Sequence, residues 1–393
     1  MKKYSILIIG FYCYHGHIRE FVTALKKKNP LVDISLALMP DPNINIVVDD
    51  FSPWVNRIIL YKKKGASSLF GRFLKGLYYY RSFLAFCLKG GFDIVDIHFA
   101  NRSTKHFMPL IKMMTNNIVI TPWGSDVLRV VDEIRTKELR RIYSCANHVT
   151  VGKDTQIGAC LISRFNVSPE KLVKLSWGGE FFDYIQENLE NVSVEMAKER
   201  FGLKDRYVIT CGYNTQKEQR HEEIINAINS VKDQLPDNLT LLFPFTYGRT
   251  KYSDQYIRAI CDKCKELQLD YVSVIDHLDM ADLLRLRMAT DIFVHVQKTD
   301  AGSRCVSEYI ICNKKVVHGS WMRYKYMEEN KPTCYFPVDC MEQLSDCVVK
   351  AYRTQICDLP QAVKECLLKR SWNNQMTYWN AFFESLVYEG FSS

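Results

Sequence analysis

The sequence predicts an α/β protein with two Rossmann-like domains, each a parallel sheet flanked by helices. The chain has 393 residues, which is more than one hydrophobic core normally serves. Short β-rich runs alternate with amphipathic helical stretches, as in proteins with parallel sheets. The alternation occurs twice, in two series separated by the polar and acidic stretch DYIQENLENVSVEMAKERFGLKD. The join is therefore predicted near residues 178–195.

The first series supplies six predicted strands, namely YSILIIG, DISLALM, RIILY, DIVDIH, NIVIT and HVTVG. Helices are expected between them, over residues 17–28, 68–89, 102–115 and 133–144. The amino terminus could pass for a signal peptide, but it lacks a small-residue cleavage site and continues as an amphipathic helix. We therefore interpret it as a buried strand. No run reaches the ~20 apolar residues of a transmembrane helix.

The second series predicts five strands, namely YVITCG, NLTLLFPF, YVSVI, DIFVHVQ and KVVHG. We place one domain at 1–180 and the other at 190–371. The aromatic segment SWNNQMTYWNAFFESLVYEG then reads as a separate amphipathic helix. Its packing partner does not follow from the pattern alone.

Fourteen cysteines are scattered along the chain, whereas disulfide frameworks are concentrated in small secreted domains. The one close pair, Cys261 and Cys264, lies in a helical pattern, and no second pair has matching spacing. Reduced thiols are therefore favoured over a zinc site, and the chain is predicted to be cytoplasmic.

The net charge of +8 is concentrated in one segment. Residues 57–89 carry eight lysines and arginines and no acidic residue, so the rest of the chain is neutral. The segment is also rich in Phe and Tyr, which suits an anionic membrane surface or a lipid diphosphate. A core helix with a basic polar face is the alternative. Nucleic acid is disfavoured, because neither an RNA-binding strand signature nor helix–turn–helix spacing is present.

Ligands of open parallel sheets bind beyond the carboxyl ends of the strands, so the loops there are the candidate sites. In TDAGSRCVSEYIICN, the amides around Gly302, Ser303 and Arg304 begin a helix and could hold a diphosphate. Glu308, one turn further, could accept both ribose hydroxyls, and Asp300 could contact a transferred sugar. Alternatively, Arg304 and Glu308 form an exposed ion pair.

Two further loops of the second series carry candidate donor-binding residues. CGYNTQKEQRHEEI offers the turn residue Gly212 with Lys217 and Arg220, which suit a pyrophosphate. LLFPFTYGRT offers Tyr247 to stack on a base, followed by Arg249. A solvated, charged helix start is the alternative for the first loop. A GxGxxG motif is missing from the candidate loops, which argues against a dehydrogenase.

The first domain presents a different set of polar and aromatic residues after its strands. We expect these loops to bind an acceptor, and a histidine or aspartate there could take the proton of an attacking hydroxyl. His17 and Asp126 are the candidates for that step, although Asp126 could instead cap the next helix. The expected acceptor-binding residues are His15, Gly16, His98 and Trp123.

These segments together resemble a GT-B glycosyltransferase over nearly the whole chain. DIFVHVQKTDAGSRCVSEYIICNKKVVHGS resembles the donor segment of family-four transferases, in which two glutamates are separated by seven residues. The resemblance implies that Glu308 binds the nucleotide ribose and that Asp300, one carbon shorter than the usual glutamate, lies by the donor sugar. The phosphate-binding region departs from the pattern, since Tyr213 replaces the usual arginine and only Lys217 matches the lysine.

LLFPFTYG and the segment after it are also similar to the enterobacterial-common-antigen acetamido-fucose transferase. That enzyme inverts configuration whereas family-four enzymes retain it, so the resemblances leave the stereochemistry open. The GT-B fold implies an interdomain crevice and a last helix, 372–393, that crosses back to the first domain. It also implies metal-independent transfer without a cofactor, which agrees with the missing DxD motif.

The expected function is transfer of a sugar from a nucleoside-diphosphate sugar to a saccharide or lipid-diphosphate-linked acceptor in bacterial surface polysaccharide synthesis, such as capsule or O-antigen. The protein would be cytoplasmic and peripheral at the membrane through residues 57–89. Glu308→Ala and Asp300→Ala would abolish transfer and leave the fold intact. Two alternatives remain, a non-hydrolysing sugar-nucleotide epimerase and a catalytically silent GT-B partner in an assembly complex.

Overall fold

A computed structural model describes residues 1–11, 15–39, 51–60, 69–89, 91–152, 156–248, 252–300, 302–330 and 332–388. The chain divides into two compact units. The first comprises Met1–Gly179 together with Ser371–Ser393, and the second comprises Glu180–Arg370. Each unit has its own sheet and its own core.

The first unit contains a sheet of seven parallel strands. The strands are β1 Ser5–Phe11, β2 Asp33–Met39, β3 Arg57–Leu60, β4 Ile94–His98, β5 Ile118–Thr121, β6 His148–Val151 and β7 Leu172–Lys174. Before the chain passes into the second unit at Glu180, the helices are α1 His15–Lys28, α2 Leu69–Cys87, α3 Met108–Met114, α4 Ser125–Leu128, α5 Glu133–Ser144 and α6 Ile157–Phe165.

The second unit contains a sheet of six parallel strands. The strands are β8 Tyr207–Cys211, β9 Leu239–Pro244, β10 Tyr271–Val274, β11 Ile292–His295, β12 Lys315–Gly319 and β13 Tyr335–Val338. The helices are α7 Glu180–Asn188, α8 Val194–Arg200, α9 His221–Asn229, α10 Ser253–Glu266, α11 Met280–Ala289, α12 Arg304–Ile311, α13 Lys325–Asn330, α14 Leu344–Arg353 and α15 Gln361–Leu368.

Both sheets follow the doubly wound strand order. The first runs β3-β2-β1-β4-β5-β6-β7 and the second β10-β9-β8-β11-β12-β13. In each sheet the order reverses beside the first strand, between β1 and β4 and between β8 and β11. A ligand crevice is expected at such a switch point, outside the carboxyl ends of the strands. The candidate ligand-binding loops are therefore those after β1, β4, β8 and β11.

The predicted strands are all present, with bounds that differ by a residue or two. Two strands were not predicted. β7 is only three residues long (LVK), and β13 (YFPV) contains Pro337, which cannot donate a ladder hydrogen bond and is confined to edge strands. Both lie at sheet edges, where short or interrupted pairing is tolerated.

The last described helix, α16 Trp372–Tyr388, returns to the first unit and packs against α1. Trp372, Met376, Trp379 and Phe383 are buried, and their spacing places them on one face of a helix. Trp379 also donates its indole N–H to the Ser176 carbonyl oxygen at 2.9 Å. The predicted return of the last helix to the first domain is confirmed. Among the described residues, the helices are too short or too polar to span a bilayer.

Candidate functional site

The turn after β8 brings the backbone of the second unit close to its buried side chains. Gly212 has φ +64°, and a Cβ built there would lie 2.8 Å from His221 Nε2. Its N–H donates to the Val294 carbonyl oxygen of β11 at 3.0 Å. Only glycine fits this conformation and this close approach, so Gly212 fixes the loop at the switch point.

Two glutamines connect that loop to the segment after β11. Gln219 donates through Nε2 to Gln297 Oε1 at 2.7 Å and accepts the Tyr213 N–H through Oε1 at 3.3 Å. Both glutamines are buried. The ring of Tyr213 stacks on His295, with centroids 5.5 Å apart. Burial lowers the pKa of His295 to about 3, so a neutral imidazole lies beneath the loop.

The Asp300 carboxylate, predicted to contact a sugar, is bonded to its own loop. Its Oδ2 accepts the Ser303 N–H at 3.1 Å and the Tyr324 hydroxyl, and His295 Nε2 lies 3.4 Å away. Burial, followed by the charge of Asp300, raises the pKa of Tyr324 well above its usual range, so the hydroxyl remains a donor. Ser303 caps α12 by accepting the Cys305 N–H at 3.3 Å. These bonds fix the loop at the start of α12.

Glu308 forms a buried ion pair that the sequence interpretation missed. Arg287 of α11 donates from Nε and Nη2 to Glu308 Oε2 at 3.0 and 2.8 Å, and from Nη1 to the Tyr309 hydroxyl at 3.2 Å. Glu308 is only 5% exposed. The alternative of an exposed pair with Arg304 is therefore wrong. Arg287 lies 21 residues before Glu308, so local spacing could not identify it.

The cationic candidates have different environments. Lys217 is exposed. Arg220 precedes α9 with φ +60° and is half-buried, its guanidinium 5.6 Å from the Trp321 ring centroid. Its Nε is buried without a hydrogen-bond partner. Tyr247 is 50% exposed, and its ring centroid lies 5.9 Å from that of Tyr213.

The remaining donor candidates flank the start of α12, with one exception. Gly302 has φ +92°, and Arg304 is the first residue of the helix. Arg249 lies outside the described residues. Within the second unit, therefore, the loops after β8 and β11 lie together, and the base-stacking candidate Tyr247 adjoins the first of them.

In the first unit, β4 ends in a buried hydrogen-bonded chain. Asp96 Oδ2 lies 3.0 Å from His98 Nε2, and Asp96 Oδ1 accepts the Thr121 hydroxyl at 2.8 Å. The Thr150 hydroxyl extends the chain to Thr121 at 3.1 Å. The other ring nitrogen of His98, Nδ1, is buried without a partner. Asp96 was not predicted, although an acidic residue inside the apolar strand DIVDIH was a usable signal.

Trp123 connects two of the predicted acceptor residues. Its ring lies 5.5 Å from that of His17 and 5.9 Å from that of His98, both edge to face. His17 is exposed, whereas His98 is buried. His15 and Gly16 form the first turn of α1, and the side chain of His15 lies outside the description. The structure thus brings His17, His98 and Trp123 together at one edge of the first sheet.

Asp126 stabilises the turn before α4 and is fully buried. Its Oδ1 accepts the N–H groups of Trp123 and Gly124, each at 3.0 Å, while Oδ2 is buried without a partner. The role of Asp126 as a proton acceptor stays a prediction, and the structure buries its carboxylate completely. The alternative of helix capping agrees better with the structure, because the carboxylate accepts the N–H groups of the two residues just before α4. Burial raises the pKa of Asp126 to about 7, against the lowering effect of these amides.

That pKa predicts a stability profile. Between the ordinary value of 3.8 and about 7, the Asp126 carboxyl binds more protons in the folded chain than in the unfolded chain. The free energy of unfolding should therefore fall as pH rises through this window, by at most about 1.4 kcal/mol per pH unit. Chemical denaturation of wild type and Asp126→Asn from pH 4 to 8 measures the difference. Parallel profiles for the two proteins would contradict the prediction.

No protein-family model matches the sequence, and neither does any curated protein. Solved structures, however, match over nearly the full length. A glycosyltransferase from Rickettsia africae ESF-5 has a TM-score of 0.74 at 14% identity, covering 99% of this chain and 100% of that chain. Sucrose-phosphate synthase from Thermosynechococcus elongatus has 0.73 at 15% identity, covering 98% and 99%. Anabaena HepE, in complex with UDP and glucose, has 0.65 at 12% identity, covering 98% of each chain.

The similarity to these structures extends over both units, and the two doubly wound parallel sheets agree with it. At identities of 10–15% it establishes architecture rather than substrate. The narrower resemblances, to family-four enzymes and to the acetamido-fucose transferase, stay predictions. The chain has the GT-B fold.

Proposed function

We propose that the protein is a glycosyltransferase that takes a sugar from a nucleoside-diphosphate donor bound at the carboxyl edge of the second unit. The observation that carries the proposal is the start of α12. There a positive-φ glycine, Gly302, and a helix amino terminus follow β11 at the switch point, with Glu308 one turn further along. Helix amino termini bind phosphate through their amides. A structural neighbour, HepE, has been solved in complex with UDP and with UDP and glucose.

We propose the following roles for individual residues. The positive end of the α12 dipole and the side chains of Lys217, Arg220 and Arg304 neutralise the diphosphate and stabilise the departing nucleoside diphosphate. Glu308 accepts the ribose hydroxyls, and Arg287 holds its carboxylate in place. Tyr247, half exposed, stacks on the base. Arg249 is retained as a diphosphate ligand from the sequence alone.

The first unit is proposed to bind the acceptor through His17, His98 and Trp123. The acceptor we propose is a saccharide or a lipid-diphosphate-linked oligosaccharide of a bacterial surface polysaccharide. An edge-to-face arrangement of an exposed histidine and a tryptophan offers a polar group beside an apolar ring face, which suits a sugar ring. His17, whose side chain is exposed, takes the hydroxyl proton.

A thermal-shift screen tests the proposal. We expect one nucleoside diphosphate and its sugar conjugates to stabilise the protein, by about 2.7 kcal/mol at one hundred times Kd. The stabilising sugar nucleotide is then incubated with the protein alone and with saccharide acceptors. Donor converted without acceptor would indicate an epimerase, and binding without turnover would indicate a silent partner. No shift with any nucleotide would refute the donor site.

Transfer is also proposed to need no metal ion, since cationic side chains and helix amides supply the positive potential at the diphosphate. Turnover with 5 mM EDTA is therefore expected to stay within about twofold of turnover without it, because fixed protein dipoles replace the metal's charge. Restoration of lost activity by Mg²⁺ or Mn²⁺ would contradict this.

We further propose that α2 contacts the membrane. Leu77, Tyr78 and, just beyond the helix, Leu88 are 45%, 55% and 77% exposed, and Arg81 and Lys89 are exposed as well. The opposite side buries other α2 side chains. Each cation near an anionic surface contributes about 1 kcal/mol. Vesicles containing phosphatidylglycerol should therefore sediment the protein, whereas Leu77→Glu/Leu88→Glu should remain in the supernatant. Equal binding to pure phosphatidylcholine would contradict the electrostatic part.

A further inference from the structure

We propose that Arg370 is a positioning residue for the donor loop, holding Gly302, Ser303 and the first turn of α12 in the conformation that binds a diphosphate. The inference rests on the proposed function, because it concerns the same loop. Arg370 is not one of the sequence-predicted site residues. It lies 62 residues after Glu308 in the chain and reaches the loop from the end of the second unit.

One guanidinium contacts both sides of the start of the helix. Arg370 Nη2 donates to the Gly302 carbonyl oxygen at 2.8 Å. Its Nη1 donates to Ser307 Oγ at 2.6 Å and to the Tyr326 hydroxyl at 3.1 Å. Ser307 lies in the first turn of α12, while Gly302 precedes it. Arg370 therefore fixes the loop relative to the helix that follows.

Fixing the Gly302 carbonyl also fixes the amide that follows it. The peptide unit is planar, so the Gly302 C=O and the Ser303 N–H point in opposite directions. With the carbonyl on Arg370, the Ser303 N–H points toward Asp300 and Tyr324, which accept it at 3.1 and 2.6 Å. Gly302 has φ +92°, a region in which glycine moves with little steric restriction. Hydrogen bonds to the Gly302 C=O and from the Ser303 N–H, at opposite edges of this peptide, restrict its rotation.

The position of Arg370 along the chain adds a second reason for its role. It is the last residue of the second unit, and the next residue, Ser371, forms an isolated parallel bridge with Gly179. The guanidinium also lies 5.7 Å from the ring centroid of Phe182 and 5.2 Å from that of Tyr326. Phe182 belongs to α7, which begins at Glu180, where the chain first enters the second unit. The side chain that holds the donor loop therefore also packs on the first helix after the crossing.

The test compares Arg370→Met with Arg370→Lys and with the control Arg353→Met. Arg353 is an exposed arginine of the same unit that donates to Gln234. The probe is whichever of UDP, GDP, ADP and dTDP stabilises the wild type most. Its Kd is measured calorimetrically well below every variant's Tm, and kcat and KM are measured with the matching sugar nucleotide.

We expect Arg370→Met to raise Kd and KM about tenfold, the equivalent of one charge-assisted hydrogen bond, with kcat within about threefold of wild type. Arg370→Lys, which keeps one donor for Gly302, should recover part of the affinity, and Arg353→Met should match wild type. A lowered Tm with unchanged Kd would show that Arg370 only stabilises the fold and would overturn the inference. A wild type that binds none of the four nucleotides would overturn the proposed function, and this inference with it.

Discussion

Replacing Glu308 with alanine is expected to abolish nucleoside-diphosphate binding and to lower the free energy of unfolding by about 3–5 kcal/mol. The second effect arises because Arg287 would remain buried, with a side chain 7% exposed, and without its carboxylate. Calorimetry with the nucleotide and urea denaturation measure the two effects separately. The sequence-based expectation that this variant leaves the fold intact did not include Arg287, whose burial beside Glu308 makes a loss of stability the expected result.

Two companion variants separate the ion pair from the ribose contact. Glu308→Gln keeps a side-chain oxygen for Arg287 and should lose less stability than Glu308→Ala. Arg287→Met/Glu308→Met replaces the pair by apolar side chains, which often restores stability in buried sites, but it removes the ribose ligand. We expect this double variant to fold and to bind no nucleotide. A stable double variant with wild-type affinity would show that Glu308 serves only the pair.

Asp300→Ala is expected to lower turnover about 100-fold, because releasing the loop misplaces the groups that hold the donor. The Asp300 carboxylate bonds to Ser303 and Tyr324, so Tyr324→Phe should reproduce part of the effect, with about a tenfold loss. Both variants should weaken binding of the nucleoside diphosphate as well as of the sugar nucleotide. Steady-state kinetics and calorimetry with the two ligands measure this.

Tyr335→Phe is the matched control for Tyr324→Phe, because the Tyr335 hydroxyl bonds to His318 Nδ1 at 2.9 Å and not to the loop. It should turn over like wild type. Suppose instead that Asp300→Ala loses turnover while its affinity for the nucleoside diphosphate is unchanged and Tyr324→Phe is normal. The Asp300 carboxylate would then contact the sugar, as the family resemblance implies.

The doubly wound fold could be predicted because its evidence is local. Apolar runs such as DISLALM and KVVHG predict strands from their own residues. The alternation of strands and helices occurs twice, which predicts two sheets. The helix of residues 372–388 was equally readable from its spacing. Pro337 and the three-residue β7 gave no such local signal. Edge strands depend on a neighbouring strand that the sequence does not identify.

The candidate site was predictable only in part, for the same reason. Gly302 and Glu308 could be identified as candidate donor-binding residues from one short segment, but the residues that contact them lie elsewhere in the chain. Arg287 precedes that segment and Arg370 follows it, and both are brought to it by tertiary packing. The Asp126 carboxylate shows the converse, since its position after a strand suggested chemistry while the structure buries it against the amides of Trp123 and Gly124. The sequence does not show which distant residues form hydrogen bonds with each other, and the pattern of residue types does not show whether a side chain is buried.

The return of α16 has a consequence for the order in which the protein can fold during synthesis. Trp372, Met376, Trp379 and Phe383 belong to the same hydrophobic core as Tyr4 and the early strands. They leave the ribosome only after all of Glu180–Arg370, which has its own sheet. The sheet of the second unit, whose last strand ends at Val338, is therefore made in full while Phe21 of the first unit still lacks its contacts with α16. The first unit is begun first and its core is completed last. Until α16 has been made, the apolar side chains that α16 covers are the surface that a chaperone would recognise.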